Sequence, residues 1–128
     1  MSDLRPRGVP VMVEGVERHF LFTLNVIDEI QDHYDMSLSD VVDKLTDKKE
    51  SLKVMRYLIA ALLNDEVARK GTEEKQNLKL YSEEEVGWIV DATNMEKMTV
   101  ALLKAYGLSI PEPDEDVSPN PVSGQMKK

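Results

Sequence analysis

The sequence predicts an α+β fold that is mostly α, with an N-terminal β-hairpin followed by four to five helices and a disordered C-terminal tail. Apolar residues alternate within residues 9–22 and then recur at three- and four-residue steps as far as residue 106. After residue 110 the composition turns acidic and Pro-rich, with little to bury. We therefore predict a flexible arm at 1–8, a single hairpin-plus-helices domain at 9–110 and a disordered tail at 111–128.

The predicted hairpin consists of two short strands joined by Glu14 and Gly15. Glycine takes the positive φ that tight hairpin turns need, so this dipeptide is a turn signal. Pro10 has no amide hydrogen to donate, and its strand is therefore expected at a sheet edge. In the second strand, Phe20 and Phe22 lie on one side of the alternating pattern.

Two helices are predicted directly after the hairpin. Thr23 or Asn25 is expected to cap the first, because either side chain accepts a hydrogen bond from a free N–H of the first turn. Ser37 is expected to begin the second, which is short. The predicted apolar stripe of the first helix consists of Leu24, Ile27, Ile30 and Tyr34.

Residues 50–69 give the clearest helical pattern in the chain. Ala60 and Ala61 add intrinsic helix preference, and Gly71 is placed where a helix stop is expected. Polar residues 72–79 are then predicted to form a surface loop. The predicted apolar stripe of this helix consists of Leu52, Met55, Leu58, Ile59, Leu62 and Leu63.

The remaining two helices are predicted from their end signals. Ser82 and Glu85 form a capping-box pattern, in which each side chain bonds the other residue's backbone N–H. Asn94 is expected to cap the last helix and Gly107 to end it. Gly87 falls inside the first of these helices, where it indicates either a close helix contact or a kink that exposes Trp88.

Composition limits the classes of function. The net charge is −8, from 24 acidic and 16 basic residues, so neither nucleic acid nor an anionic membrane surface is expected as a partner. The chain has no cysteine, which excludes disulfides and thiolate metal sites and is consistent with a reducing compartment. No apolar run is long enough to cross a bilayer. We therefore expect a cytoplasmic protein that binds another protein.

Known catalytic patterns are missing from the sequence. Its two histidines belong to no Ser-His-Asp or His-Glu-x-x-His arrangement, and its glycines form no phosphate-binding loop. We therefore predict no enzyme activity, no cofactor and no metal. The alternative is a carboxylate-bound metal near Asp28, Asp32 and His33, against the simpler interpretation of a solvated helix face.

Large aromatic side chains are the candidates for contact with a protein partner, because they supply much of the binding energy at interfaces. The methionines on the apolar stripes are interpreted as core residues, with an adaptable binding surface as the alternative. The candidate partner-binding residues are Phe20, Phe22, Tyr57, Trp88 and Tyr106.

Two adjoining segments carry a family resemblance. Residues 22–30 (FTLNVIDEI) and 34–42 (YDMSLSDVV), which follow the hairpin, resemble the opening of tail assembly chaperones of long-tailed bacteriophages and related prophages. The resemblance covers about residues 9–106. It implies a non-enzymatic helper in the host cytoplasm that binds the tape measure protein, keeps it soluble during tail assembly and forms a homo-oligomer. The alternative is a small acidic regulatory adaptor or inhibitor, which would align its acidic side chains in one stripe.

Overall fold

The computed structural model describes residues 8–74 and 80–109, and its secondary structure confirms the α+β, mostly α class. The predicted tail at 111–128, most of the arm at 1–8 and residues 75–79 of the predicted loop lie outside the described residues. The elements are β1 (Val9–Val13), β2 (Val16–Phe20), α1 (Leu24–Tyr34), α2 (Leu38–Asp43), a 3-10 turn (Lys44–Thr46), α3 (Ser51–Glu74), α4 (Glu83–Ile89) and α5 (Met95–Ser109).

The hairpin is confirmed. β1 and β2 pair antiparallel in a two-stranded sheet, from Val13 opposite Val16 to Val9 opposite Phe20. The turn residue Glu14 has a φ of 52° and is followed by a glycine that also has positive φ. Two left-handed residues in succession are typical of the turn whose twist matches the two strands.

Gly8 precedes β1 and lies against the end of β2. Its φ is +97°, and a Cβ built on it would stand 2.5 Å from the carbonyl oxygen of Phe20. Gly15 in the turn also has positive φ, at +79°, but nothing lies within 4 Å of its Cβ position. Gly8, which the sequence assigned to a flexible arm, is therefore a fixed part of the hairpin.

We expect Gly8→Ala to lower the free energy of unfolding by about 2 kcal/mol, because it adds a clash with backbone to an unfavourable φ. Gly15→Ala is the matched control and should cost only about 1 kcal/mol, since it introduces the φ strain alone. Urea denaturation followed by far-UV circular dichroism measures both. Equal losses for the two variants would contradict the close approach.

The first two helices begin as predicted. The Thr23 side chain accepts a hydrogen bond from the N–H of Val26, and Ser37 caps α2 in the same way. The predicted stripe of α1 is wrong at its first position, because Leu24 is 84% exposed while Val26 is buried. Residues two apart point to nearly opposite sides of a helix, so the side that buries Val26 and Ile30 turns Leu24 to solvent.

α3 is the central helix and packs against β2, α1, α4 and the 3-10 turn. It continues to Glu74, so the predicted stop at Gly71 is wrong. A glycine within a helix costs only about 1 kcal/mol, which packing along so long a helix offsets. The predicted stripe is buried from Met55 to Leu63, whereas Leu52 is exposed.

The last two helices begin differently. At α4, Ser82 and Glu85 make both bonds of the capping box, as predicted. The predicted cap at Asn94 is wrong, because its side chain bonds the backbone before α5: it accepts from the N–H of Asp91 and donates to the carbonyl of Ile89. The predicted stop at Gly107 is wrong, because α5 continues to Ser109. Gly107 lies exposed in the last turns of this helix.

One cluster of buried residues joins both strands to all five described helices. Phe20, Ile30, Leu58 and Leu62 are fully buried within it. Where α1 begins, the ring of Phe22 meets Tyr106 of α5 edge-on, with ring centroids 6.4 Å apart. This contact places the start of α1 beside the last turns of α5.

Candidate protein-binding surfaces

The five candidate aromatic residues do not share one surface. Phe20, Phe22 and Tyr57 are 0%, 7% and 9% exposed and belong to the core, so in this fold they are not accessible to a partner. All three belong to the single buried cluster that joins the strands to the helices. Tyr106 is half-buried against Phe22, and Trp88 is 73% exposed.

Trp88 stands on α4 at a point where this helix lies close to α3. A Cβ on Gly87 would approach Cδ of Arg56 to 3.1 Å, which favours the close-contact interpretation of this glycine. Arg56 and the exposed Leu52 are four residues apart on α3 and share one of its sides. Trp88 on α4 and Leu52 on α3 are thus exposed apolar side chains of two neighbouring helices, and we call this pair the Trp88 surface.

A second apolar region covers the solvent side of α5. Val100, Leu103 and Leu108 are 45%, 47% and 69% exposed, and the exposed Gly107 lies among them. Between this helix and β1 runs an open groove of about 300 Å³. We call the exposed side of α5 the α5 surface; its groove is lined by Val9, Pro10, Glu96, Lys97, Val100, Ala101 and Lys104.

An aromatic cluster joins α1 to α3. The His33 ring stacks on Tyr57 with centroids 4.1 Å apart and planes inclined by 10°. Tyr34 meets the ring of Tyr57 edge-on at 5.3 Å. Edge-on and parallel arrangements of this kind are the favourable ones for aromatic pairs. The cluster therefore fixes the end of α1 on the middle of α3.

Carboxylates surround the tyrosines of this cluster. Burial and, after it, the negative charge of neighbouring carboxylates, first that of Glu29, raise the pKa of Tyr57 to about 12. Burial also raises the pKa of Tyr34, and Glu83 and Glu50 add to the shift. A phenolate beside carboxylates is unfavourable, so both rings keep their protons over the ordinary pH range. The same field makes this side of the protein attractive to cations.

Sequence reasoning missed Glu66, a fully buried carboxylate on α3. It is 1% exposed and accepts two bonds from His19, the backbone N–H at 2.9 Å and ring Nδ1 at 2.8 Å. Lys70 Nζ lies 3.7 Å from it. The sequence did contain a signal that Glu66 is buried. This residue follows the apolar residues Leu62 and Leu63 by four and three positions, and residues at these spacings share one side of a helix.

Glu66 also closes one edge of the sheet. Pairing alternates along a hairpin, so His19, three places from the turn-flanking Val16, points its N–H away from β1. That donor would otherwise be free to pair with another strand, and the carboxylate occupies it. On the other strand, the opposing residue is Pro10, which has no N–H to offer.

A second set of polar contacts on α3 centres on Asp65, the neighbour of Glu66 in the sequence. Thr23 Oγ1 donates to Asp65 at 2.9 Å, and Arg69 Nε donates to the same carboxylate at 3.1 Å. On the neighbouring side, the Arg18 guanidinium lies 5.9 Å from the ring centre of Tyr81. The two bonds to Asp65 tie the capping residue of α1 to α3, and the Arg18 contact ties β2 to the residue just before the cap of α4.

The metal alternative is not supported where the chain is described. Residues 8–74 and 80–109 contain no group of three or more His, Asp or Glu side chains arranged to hold a metal ion. Asp28 and Asp32 are exposed, and His33 stacks on Tyr57 instead. Among the described helices, none is both long and apolar enough to cross a membrane.

Comparison with known proteins identifies no relative. No protein-family model, no curated protein and no solved structure matches this chain.

Proposed function

We propose that this protein is a non-enzymatic tail assembly chaperone of a long-tailed phage or prophage, which binds the tape measure protein and keeps it soluble during tail assembly. The observation that carries the proposal is Trp88, an indole 73% exposed on a helix held close to α3. Exposed tryptophan is unusual without a partner and is among the residues that contribute most to interfaces. The resemblance of residues 22–42 to this family supports the same function.

The Trp88 surface suits an apolar helix as its partner. Trp88 and Leu52 present apolar side chains from two neighbouring helices, an arrangement in which an amphipathic helix can lie with its apolar side covered. The area is small compared with that of a permanent complex, so each contact is reversible. A chaperone that must release its client when tube subunits arrive needs this property.

A second candidate function is an acidic adaptor or inhibitor that binds a basic protein segment. It is favoured by the carboxylates near Tyr57, of which Glu29 lies on α1 and Glu83 begins α4. Salt distinguishes the two functions. Binding through carboxylates weakens steeply between low and high ionic strength, whereas apolar binding through Trp88 does not.

Co-expression with the tape measure protein of the same phage tests the chaperone proposal. We expect the tape measure protein to become soluble and to co-purify with this chain. Trp88→Ala should weaken binding by about 2 kcal/mol, roughly thirtyfold, because it removes the exposed anchor. Leu108→Ala is the control: it removes a comparably exposed apolar side chain from α5 and should leave binding unchanged. Unchanged solubility of the tape measure protein, or equal effects of the two variants, would count against the proposal.

A further inference from the structure

The groove between α5 and β1 has a basic wall. Lys97 and Lys104 line it and are exposed, and no carboxylate among the described residues forms an ion pair with either ammonium. By contrast, Lys44, Arg69 and Lys70 each have a carboxylate oxygen within 3.7 Å. Positions 97 and 104 are nearly two full turns apart, so the two groove lysines stand one above the other, about 10 Å apart along the helix. They form a row of positive charge that no neighbour neutralises.

Glu96, the acidic residue of this groove, lies on its outer rim. Successive residues of a helix are about 100° apart around its axis, and the buried Ala101 marks the side of α5 that closes the groove toward the core. Lys97 and Lys104 lie about 40° and 60° from Ala101 around this axis, whereas Glu96 lies about 140° away. The lysines are therefore nearer to β1 than the glutamate, and the inner part of the groove is positive.

The groove is wide enough for an extended chain but not for a helix. Its volume of about 300 Å³, spread over the roughly 10 Å between the lysines, gives a cross-section about 5–6 Å wide. Neighbouring extended strands lie about 4.8 Å apart, whereas a helix with its side chains is about 10 Å across. Val9, Pro10 and Ala101 supply apolar contacts along the groove. It therefore suits an extended acidic segment with some apolar content.

The chain that follows α5 has this composition. Residues 110–117, which lie outside the described part of the chain, read IPEPDEDV, with four acidic residues and two prolines between Ile110 and Val117. The prolines at positions 111 and 113 lack the N–H that a helix needs, and each disfavours helical geometry in the residue before it. The sequence therefore predicts an acidic segment of extended conformation directly beyond the end of α5.

We propose that this acidic segment, residues 112–117, folds back along the groove of its own chain and places its carboxylates on Lys97 and Lys104. The two lysines lie about 18 and 7 Å back along α5 from Ser109. An extended chain covers about 3.3 Å per residue, so the stretch from Ser109 to Asp116 spans about 23 Å. This length reaches both lysines and leaves slack for the chain to reverse its direction.

Tethering makes such a contact frequent although each ion pair is weak. Exposed ion pairs contribute little individually and are screened by salt. A short tether holds the segment at an effective concentration of about 1 mM, so a weak attraction keeps the groove covered much of the time. The segment thereby excludes other acidic peptides from the α5 surface and leaves the Trp88 surface open. The inference uses no part of the proposed client site, and it therefore stands or fails independently of the proposed function.

Paramagnetic relaxation in the full chain tests this contact. The chain has no cysteine, so Ser118→Cys carries a nitroxide label at one defined position. We expect the backbone amide signals of Val9, Lys97 and Ala101 to lose more than about half of their intensity, because the tethered contact keeps the label beside the groove. Signals of α2, whose main contacts are with α1 and the 3-10 turn, should keep most of theirs. In a mixture of nitroxide-labelled chain and nitrogen-15 chain without nitroxide, no loss is expected, since the contact lies within one chain.

Charge reversal identifies the side chains that hold the segment. Lys97→Glu combined with Lys104→Glu should reduce the signal loss about threefold, because it replaces attraction with repulsion. Lys48→Glu combined with Lys49→Glu is the matched control. It makes the same change in net charge at exposed lysines that do not line the groove, and it should leave the signal loss unchanged.

A compensating change completes the test. Adding Asp114→Lys and Asp116→Lys to the reversed groove should restore most of the signal loss, and circular dichroism confirms that each variant is folded. Absence of any loss in the original chain, loss in the mixture alone, or equal effects of the two lysine pairs would overturn the proposal. Loss in the mixture alone would assign the groove to a segment of another chain. Trp88→Ala should leave the signal loss unchanged, so failure here and failure of the client proposal are distinguishable.

Discussion

Replacing Glu66 with leucine should lower the free energy of unfolding by about 3–5 kcal/mol, although leucine is apolar and the site is buried. Stability is lost because removing the carboxylate leaves its hydrogen-bond donors and its counter-charge without a partner. The His19 N–H and ring Nδ1 lose their acceptor, at 2.9 and 2.8 Å, in a place that water does not reach freely. The partly exposed Lys70 ammonium, 3.7 Å away, loses its counter-charge.

Two variants separate this effect from a general loss of charge. Glu17→Gln neutralises the exposed carboxylate on the other side of the His19 ring and should cost less than about 1 kcal/mol. Glu66→Gln keeps an acceptor oxygen and should fall between the two. Guanidinium denaturation measures all three, and amide hydrogen exchange at His19 should accelerate most in Glu66→Leu. A Glu66→Leu protein as stable as the original would refute a fixing role for this carboxylate.

The local signals in the sequence predicted most element boundaries. The hairpin turn at Glu14 and Gly15, the cap at Thr23 and the capping box at Ser82 all appear where expected. Each depends on groups within three residues of one another, so neighbouring sequence contains the whole interaction. The predicted helix stops failed for the complementary reason. Gly71 permits a stop, but tertiary packing decides whether the helix ends there.

The rotation of a helix about its own axis was harder to predict. Leu24 and Val26 are both apolar at the start of α1, and only the position of α3 decides which of them is buried. The same limit applied to the aromatic residues, because the sequence marks their size but not their burial. Trp88 remains accessible, whereas Phe20 became core. The role of Glu66 was missed because a carboxylate on an apolar stripe can be interpreted only when its partner is known, and the sequence does not show that His19 lies opposite it.

Phe20 and Trp88, two large aromatic residues proposed together as partner contacts, should respond oppositely to truncation. Phe20 is fully buried, so Phe20→Ala opens a cavity in the core and should cost about 3–5 kcal/mol. Trp88→Ala removes a largely exposed side chain and should change stability by about 0.5 kcal/mol or less. Thermal or urea denaturation, followed by circular dichroism so that loss of the single tryptophan does not matter, gives both values.

Binding of the proposed client should depend on the two positions in the opposite order, with position 88 more important than position 20. Trp88→Ala stays folded and loses binding, whereas a Phe20 variant that remains folded keeps it, because its side chain does not reach the surface. Phe20→Leu is the variant to use, since it leaves a smaller cavity than alanine and preserves enough stability for the assay. If Phe20→Leu weakened client binding as much as Trp88→Ala while remaining folded, the hairpin would have to open to admit the client. Intact binding in Phe20→Leu would instead place recognition on the outer side of α4, with the core serving only to hold that helix in position.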